Sequence, residues 1–186
     1  MSKCIMLIRH AEKPDPGHAG VDDAGSSDEH SLSVPGWCRA GALARYFSSL
    51  VDGAHPKGIC RPQHIYAARA TAMHRSTRPR DTVLPLAKAL GLSADERWSD
   101  EDSVEKFAET LKNFETPVLI CWRHDYLPAL ARAILHDNDL PEVWPADRFD
   151  LTWSIRREGD RWSFMQVPQL LLAGDRSDVI GPNQRQ

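Results

Sequence analysis

The chain has 186 residues, 41% of them hydrophobic and 26% charged, with a formal net charge of −3. That length suits a single domain with one sizeable core. The acidic balance speaks against a general nucleic-acid binder, which carries a clustered basic surplus, and no run of about 18 apolar residues is present to span a membrane.

Lys3 to Ile8 is a short run of large and β-branched apolar residues and predicts a buried strand. Pro14 to Pro35 follows, rich in glycine, serine and acids, and reads as a long mobile loop. It is either a lid carrying Asp22, Asp23, Asp28 or Glu29 over a site, or a disordered surface insertion. Gly36 to Leu50 places Trp37, Ala40, Leu43, Ala44, Phe47 and Leu50 at helical spacing. Ile65 to Ala68 is a second short strand. Pro79 to Leu90 suits a helix, with Pro79 at its start and Gly91 as its stop. Ser103 to Phe114 repeats the pattern through Val104, Phe107, Ala108 and Leu111. Val118 to Trp122 is a wholly apolar strand, and Tyr126 to Leu135 is a helix again. Leu151–Ile155 and Trp162–Val167 flank a Glu158-Gly159-Asp160 turn, a hairpin signal. Residues from about 174 to 186 read as a flexible tail.

Strands alternating with amphipathic helices predict one α/β domain over residues 1–186. Its architecture is a three-layer sandwich: a mostly parallel central sheet, helices on both faces, and the antiparallel hairpin at the edge. Cys4, Cys38, Cys60 and Cys121 show no CxxC pairing. With the short apolar start ended by Arg9-His10, this points to reduced thiols and a cytoplasmic protein.

The chemistry concentrates in three segments. Arg9-His10-Ala11-Glu12 directly follows the first strand, and ligands of open α/β sheets bind beyond the carboxyl ends of strands. A histidine satisfied by a loop carbonyl beside a surface arginine is the bland alternative. Trp122-Arg123-His124-Asp125 has the same topology at the end of another strand. The two histidines converge if those strands are neighbours. Asp125 is equally a good N-cap for the helix after it. Arg75 to Thr82 gathers arginines at a helix N-terminus, which the helix dipole disfavours unless an anion offsets them. A solvated basic patch would look the same.

Together these segments resemble the histidine phosphatase, or phosphoglycerate mutase-like, superfamily, over Lys3 to about Leu135. Arg9-His10-Ala11 is similar to its Arg-His-Gly or Arg-His-Ala hallmark. Leu32-Ser33-Val34-Pro35-Gly36-Trp37-Cys38-Arg39-Ala40 looks like its Leu-Thr-x-x-Gly block followed by Arg-Ala. Arg78 stands four residues before Thr82, and His124 is the late histidine after an apolar strand. The resemblance implies a small phosphatase in which His10 becomes transiently phosphorylated while Arg9, Arg78 and His124 hold the phosphoryl group. Arg39 would be a helper, Glu12 lies close to His10 in sequence, and Trp122 could wall the pocket. An imidazole must be neutral to attack phosphorus, and fixed positive charge must meet the charge spread over the equatorial oxygens.

The implied substrate is a small phosphorylated compound or a phosphoprotein, with no metal, cofactor, nucleic acid or membrane involved. The proton donor to the leaving group is the weakest assignment. One branch of the superfamily uses the aspartate after the second histidine, here Asp125; another uses a glutamate, for which Glu96, Glu101 and Glu105 offer no convincing motif. A phosphomutase and a non-catalytic phospho-ligand binder remain as alternatives. His18, His30, His55, His64, His74 and His136 have no ligand spacing and read as surface or capping residues.

Overall fold

Alternation along the central strands sets the layering. The computed structural model describes residues 3–49, 56–137 and 140–181. Strand β1 (Lys3–Arg9) sends Ile5 and Leu7 into one core and Cys4, Met6 and Ile8 into the other. Strand β6 (Val118–Trp122) divides Val118, Ile120 and Trp122 from Leu119 and Cys121 in the same way. Successive strand side chains point to opposite faces, so an unbroken apolar run needs cover on both.

The remaining elements, in chain order, are β2 (Gly20–Val21), β3 (Leu32–Ser33), α1 (Val34–Ser48), β4 (His64–Ala67), α2 (Arg78–Leu90), β5 (Ala94–Asp95), α3 (Val104–Lys112), α4 (Leu127–Leu135), β7 (Leu151–Glu158) and β8 (Arg161–Pro168). Leu43 and Phe47 of α1 and Val83 and Leu86 of α2 cover one face; Phe107 and Leu111 of α3 and Leu130 and Ile134 of α4 cover the other. The sheet order is β5-β4-β6-β1-β7-β8. β1 runs parallel to β6 and β6 to β4, while β7 and β8 form the antiparallel edge. The α/β sandwich and its edge hairpin are therefore as the periodicity predicts. β5 escapes that reading because two residues carry no period. Leu50 and His55 lie outside the described residues.

Two segments carry more order than composition alone conveys. The stretch from Pro14 to Pro35, read as a long loop, is largely irregular and includes the short β2–β3 pair. Its aspartates build turns: Asp15 accepts from the Gly17 amide, Asp22 from those of Ala24 and Ser26, and Asp28 from that of His30. Asx turns use the same acids and glycines that mark a loop by composition. The segment ends on Ser33, whose hydroxyl caps α1 by accepting from the Gly36 amide, with Pro35 in the first turn. The tail is also held as far as it is described. Asp175 binds Arg39, and Ile180 is 3% exposed in the α3–α4 core. Residues 182–186 lie outside the described residues. No helix among the described residues is long and apolar enough to cross a membrane.

Candidate active site

β1 and β6 are adjacent and parallel, with Arg9 paired opposite Trp122. The residues just past their carboxyl ends therefore meet. The His10 amide donates to the Trp122 carbonyl at 2.9 Å, which fixes the turn out of β1 against the turn out of β6. β4 lies on the other side of β6, so the N-terminus of α2 brings Arg78 to the same rim. Arg9, His10, Arg78 and His124 all line one cavity of about 360 Å³.

His10 is 5% exposed. Its Nδ1 lies 2.7 Å from the Ala11 carbonyl oxygen, which can only accept, so Nδ1 carries the proton and Nε2 keeps its lone pair. Burial, then the charge of Arg9, lowers the imidazole pKa to about 3 despite the opposing pull of that carbonyl. The ring is neutral throughout the physiological range. Ala11 is held in turn: its amide donates to Thr82 Oγ1 at 2.8 Å, and that hydroxyl donates to the Arg78 carbonyl at 2.7 Å. The Arg78–Thr82 spacing thus ties the loop after His10 to the helix that presents Arg78.

Arg9 is fixed by a loop after α4. Its Nη1 donates to the carbonyls of Ala146 at 2.7 Å and Arg148 at 3.1 Å, and its guanidinium lies 3.8 Å over the Phe149 ring. Desolvation lowers its pKa to about 10, so it stays charged at neutral pH. Burial and the nearby Arg123 push Arg78 the same way. In both arginines the Nε–H is buried and has no hydrogen-bond partner among the described residues. His124 is also held below its ordinary pKa by burial and by Arg9, so it enters a neutral solution uncharged.

The other sequence candidates do not reach this cavity. Arg39 is 3% exposed and its donors are committed to Asp175, at 2.7 and 3.1 Å, and to Glu12, at 2.9 Å. Arg39 and Glu12 therefore clamp α1 to the tail and to the loop after β1. Trp122 lies in the α3–α4 core, stacked on Tyr126 with centroids 4.8 Å apart, and donates its indole N–H to Asp100. Asp125 is exposed and paired with Arg123; although burial opposes it, that partner draws its carboxyl below the usual range. It is not the cap of α4, which is Tyr126.

The cavity walls include residues to which sequence reading assigned no role there: Lys13, His30, His74, Arg75 and Arg123. Arg75 and Arg123 stand beside Arg78 and His124 in the chain, which was the available signal. His30 and His74 are brought in by loops from distant segments. No aspartate or glutamate lines the cavity among the described residues, nor does any group of three or more potential metal ligands occur among them.

No protein-family model matches the sequence, and no curated protein matches it. Solved structures do. The protein histidine phosphatase SixA, complexed with tungstate, is 14% identical, with 89% of this chain and 97% of that one covered and a TM-score of 0.55. A mycobacterial glucosyl-3-phosphoglycerate phosphatase is 16% identical over 88% of this chain and 97% of its own, with a TM-score of 0.51. A phosphoserine phosphatase from Entamoeba histolytica, with phosphoserine bound, is 11% identical over 87% and 94%, with a TM-score of 0.50. These neighbours are histidine phosphatase superfamily members, and the chain has their fold.

Proposed function

We propose that this chain, on a histidine phosphatase fold, is a metal-independent phosphatase working through a phosphohistidine at His10. The observation that carries the reading is a neutral, buried imidazole whose Nδ1 is tied to the Ala11 carbonyl, in a cavity lined by Arg9, Arg78 and His124. The two guanidiniums supply fixed positive charge where a phosphoryl group would carry its negative charge.

In this scheme the Ala11 carbonyl keeps the proton on Nδ1 and leaves Nε2 to attack phosphorus. The P–O bond to the leaving group breaks as the P–N bond forms. Arg9, Arg78 and an N–H of His124 meet the equatorial oxygens, where fixed charge stabilises the transition state most. Water then attacks phosphorus, the P–N bond breaks, and inorganic phosphate leaves. Asp125, kept ionised by Arg123, holds that arginine in place. No carboxyl group lines the cavity among the described residues, so in this scheme the departing oxygen takes its proton from water.

The test is phosphate release from para-nitrophenyl phosphate in EDTA. Turnover in the wild type, competitive inhibition by vanadate and loss of turnover in His10→Ala support the scheme. Turnover retained by His10→Ala overturns it.

A further inference from the structure

We propose that the cavity also binds a second anionic group of its substrate, a carboxylate or second phosphate a few atoms from the reacting phosphoryl group, between Lys13 and Arg75. The inference rests on the phosphatase reading and narrows its substrate class.

Lys13, Arg75 and Arg123 line the cavity together with Arg9 and Arg78, and no carboxylate lines it among the described residues. Arg123 is matched by Asp100 at 3.0 Å and by Asp125. Arg9 and Arg78 answer to the phosphoryl dianion. Lys13 and Arg75 are left, each exposed and without a hydrogen bond or ion pair among the described residues.

Isolated surface cations need no explanation, but these two arrive on different loops, after β1 and before α2, and face one concavity. Lys13 is close enough to help depress His124. Like charges gathered in a concave site raise its potential and draw a ligand of matching charge. A single phosphoryl group leaves this pair unanswered. Arg75 can grip a planar or tetrahedral oxyanion in a bidentate manner, and Lys13 supplies a point charge.

Isothermal titration calorimetry of the full chain with non-hydrolysable probes tests this. Ethylphosphonate carries the phosphoryl mimic alone; 3-phosphonopropionate adds a carboxylate to it, and ethane-1,2-diphosphonate adds a second phosphonate. At least one doubly anionic probe is expected to bind roughly tenfold tighter than ethylphosphonate, by charge-assisted hydrogen bonds that weaken with salt. The tighter of the two identifies the second group. In Lys13→Ala/Arg75→Ala, with a wild-type melting temperature, the preference collapses. Equal affinity for all probes, or a preference that survives the double variant, overturns the subsite and leaves the phosphoryl pocket standing. Failure of even ethylphosphonate to bind overturns the phosphatase reading and this subsite with it.

Discussion

Thr82→Val is the sharpest probe of how the site is held. Valine keeps the shape of threonine and removes the hydroxyl that accepts from the Ala11 amide at 2.8 Å and donates to the Arg78 carbonyl at 2.7 Å. Thr82 and Ala11 are both 0% exposed, so water cannot replace the lost partner. Stranding the Ala11 N–H costs about 1–3 kcal/mol, and losing the bond to the Arg78 carbonyl about 0.5–1.5 kcal/mol. The sum, about 1.5–4.5 kcal/mol, lowers the melting temperature by roughly 3–18 °C in a domain of this size. Thermal unfolding followed by circular dichroism measures it. Activity should fall as well, because the released Ala11 amide and the carbonyl that fixes the His10 tautomer sit on either side of one Cα. Thr82→Ser, which keeps the hydroxyl, should restore most of both. A valine variant that melts with the wild type would refute the reasoning.

Arg78→Ala should lower kcat/KM for para-nitrophenyl phosphate about 10²–10³-fold, as removal of one transition-state donor does; a change of a few-fold would show that Arg78 does not meet the phosphoryl group. Asp125→Asn should cost far less than His10→Ala, and a loss of equal size would mark Asp125 as the proton donor. Gly36→Ala places a Cβ 2.4 Å from the Glu12 carbonyl oxygen, so the loop after His10 must shift and the variant should be less stable and less active; unchanged unfolding and turnover would contradict this. His10 has a folded pKa of about 3 against 6.5 unfolded, so the unfolded chain takes up a proton that the native one refuses. Stability is untouched by this group above about pH 6.5 and declines as pH falls from there toward 3. His10→Asn should therefore lose less stability than wild type between pH 7 and pH 4, as measured by urea unfolding at each pH; parallel losses would exclude His10 as the source.

The parts legible in the sequence are those whose signals are local. The apolar runs of β1 and β6 mark the centre of the sheet, and the Arg9-His10 and Arg123-His124 pairs at their carboxyl ends mark the rim. The Leu32 to Gly36 block has a local cause in part, since Ser33 and Pro35 start α1, whereas Gly36 makes room for the distant Glu12 carbonyl. Arg39 was open to misreading because its partner Asp175 lies 136 residues away, and no local pattern announces such a clamp. Trp122 was readable in principle: it shares strand parity with Val118 and Ile120, whose face turns toward α3 and α4 and away from the cavity. Lys13, His30 and His74 were not, because loop geometry alone brings them to the cavity.

In the proposed scheme His10 carries the phosphoryl group during turnover. The direct measurement is to mix the protein with phosphorus-32-labelled acetyl phosphate, quench in base, and map the labelled peptide. Label is expected on the peptide containing His10, stable in base, lost in acid and absent from His10→Ala. Turnover with no labelled enzyme, or label on another residue that persists in His10→Ala, would contradict it.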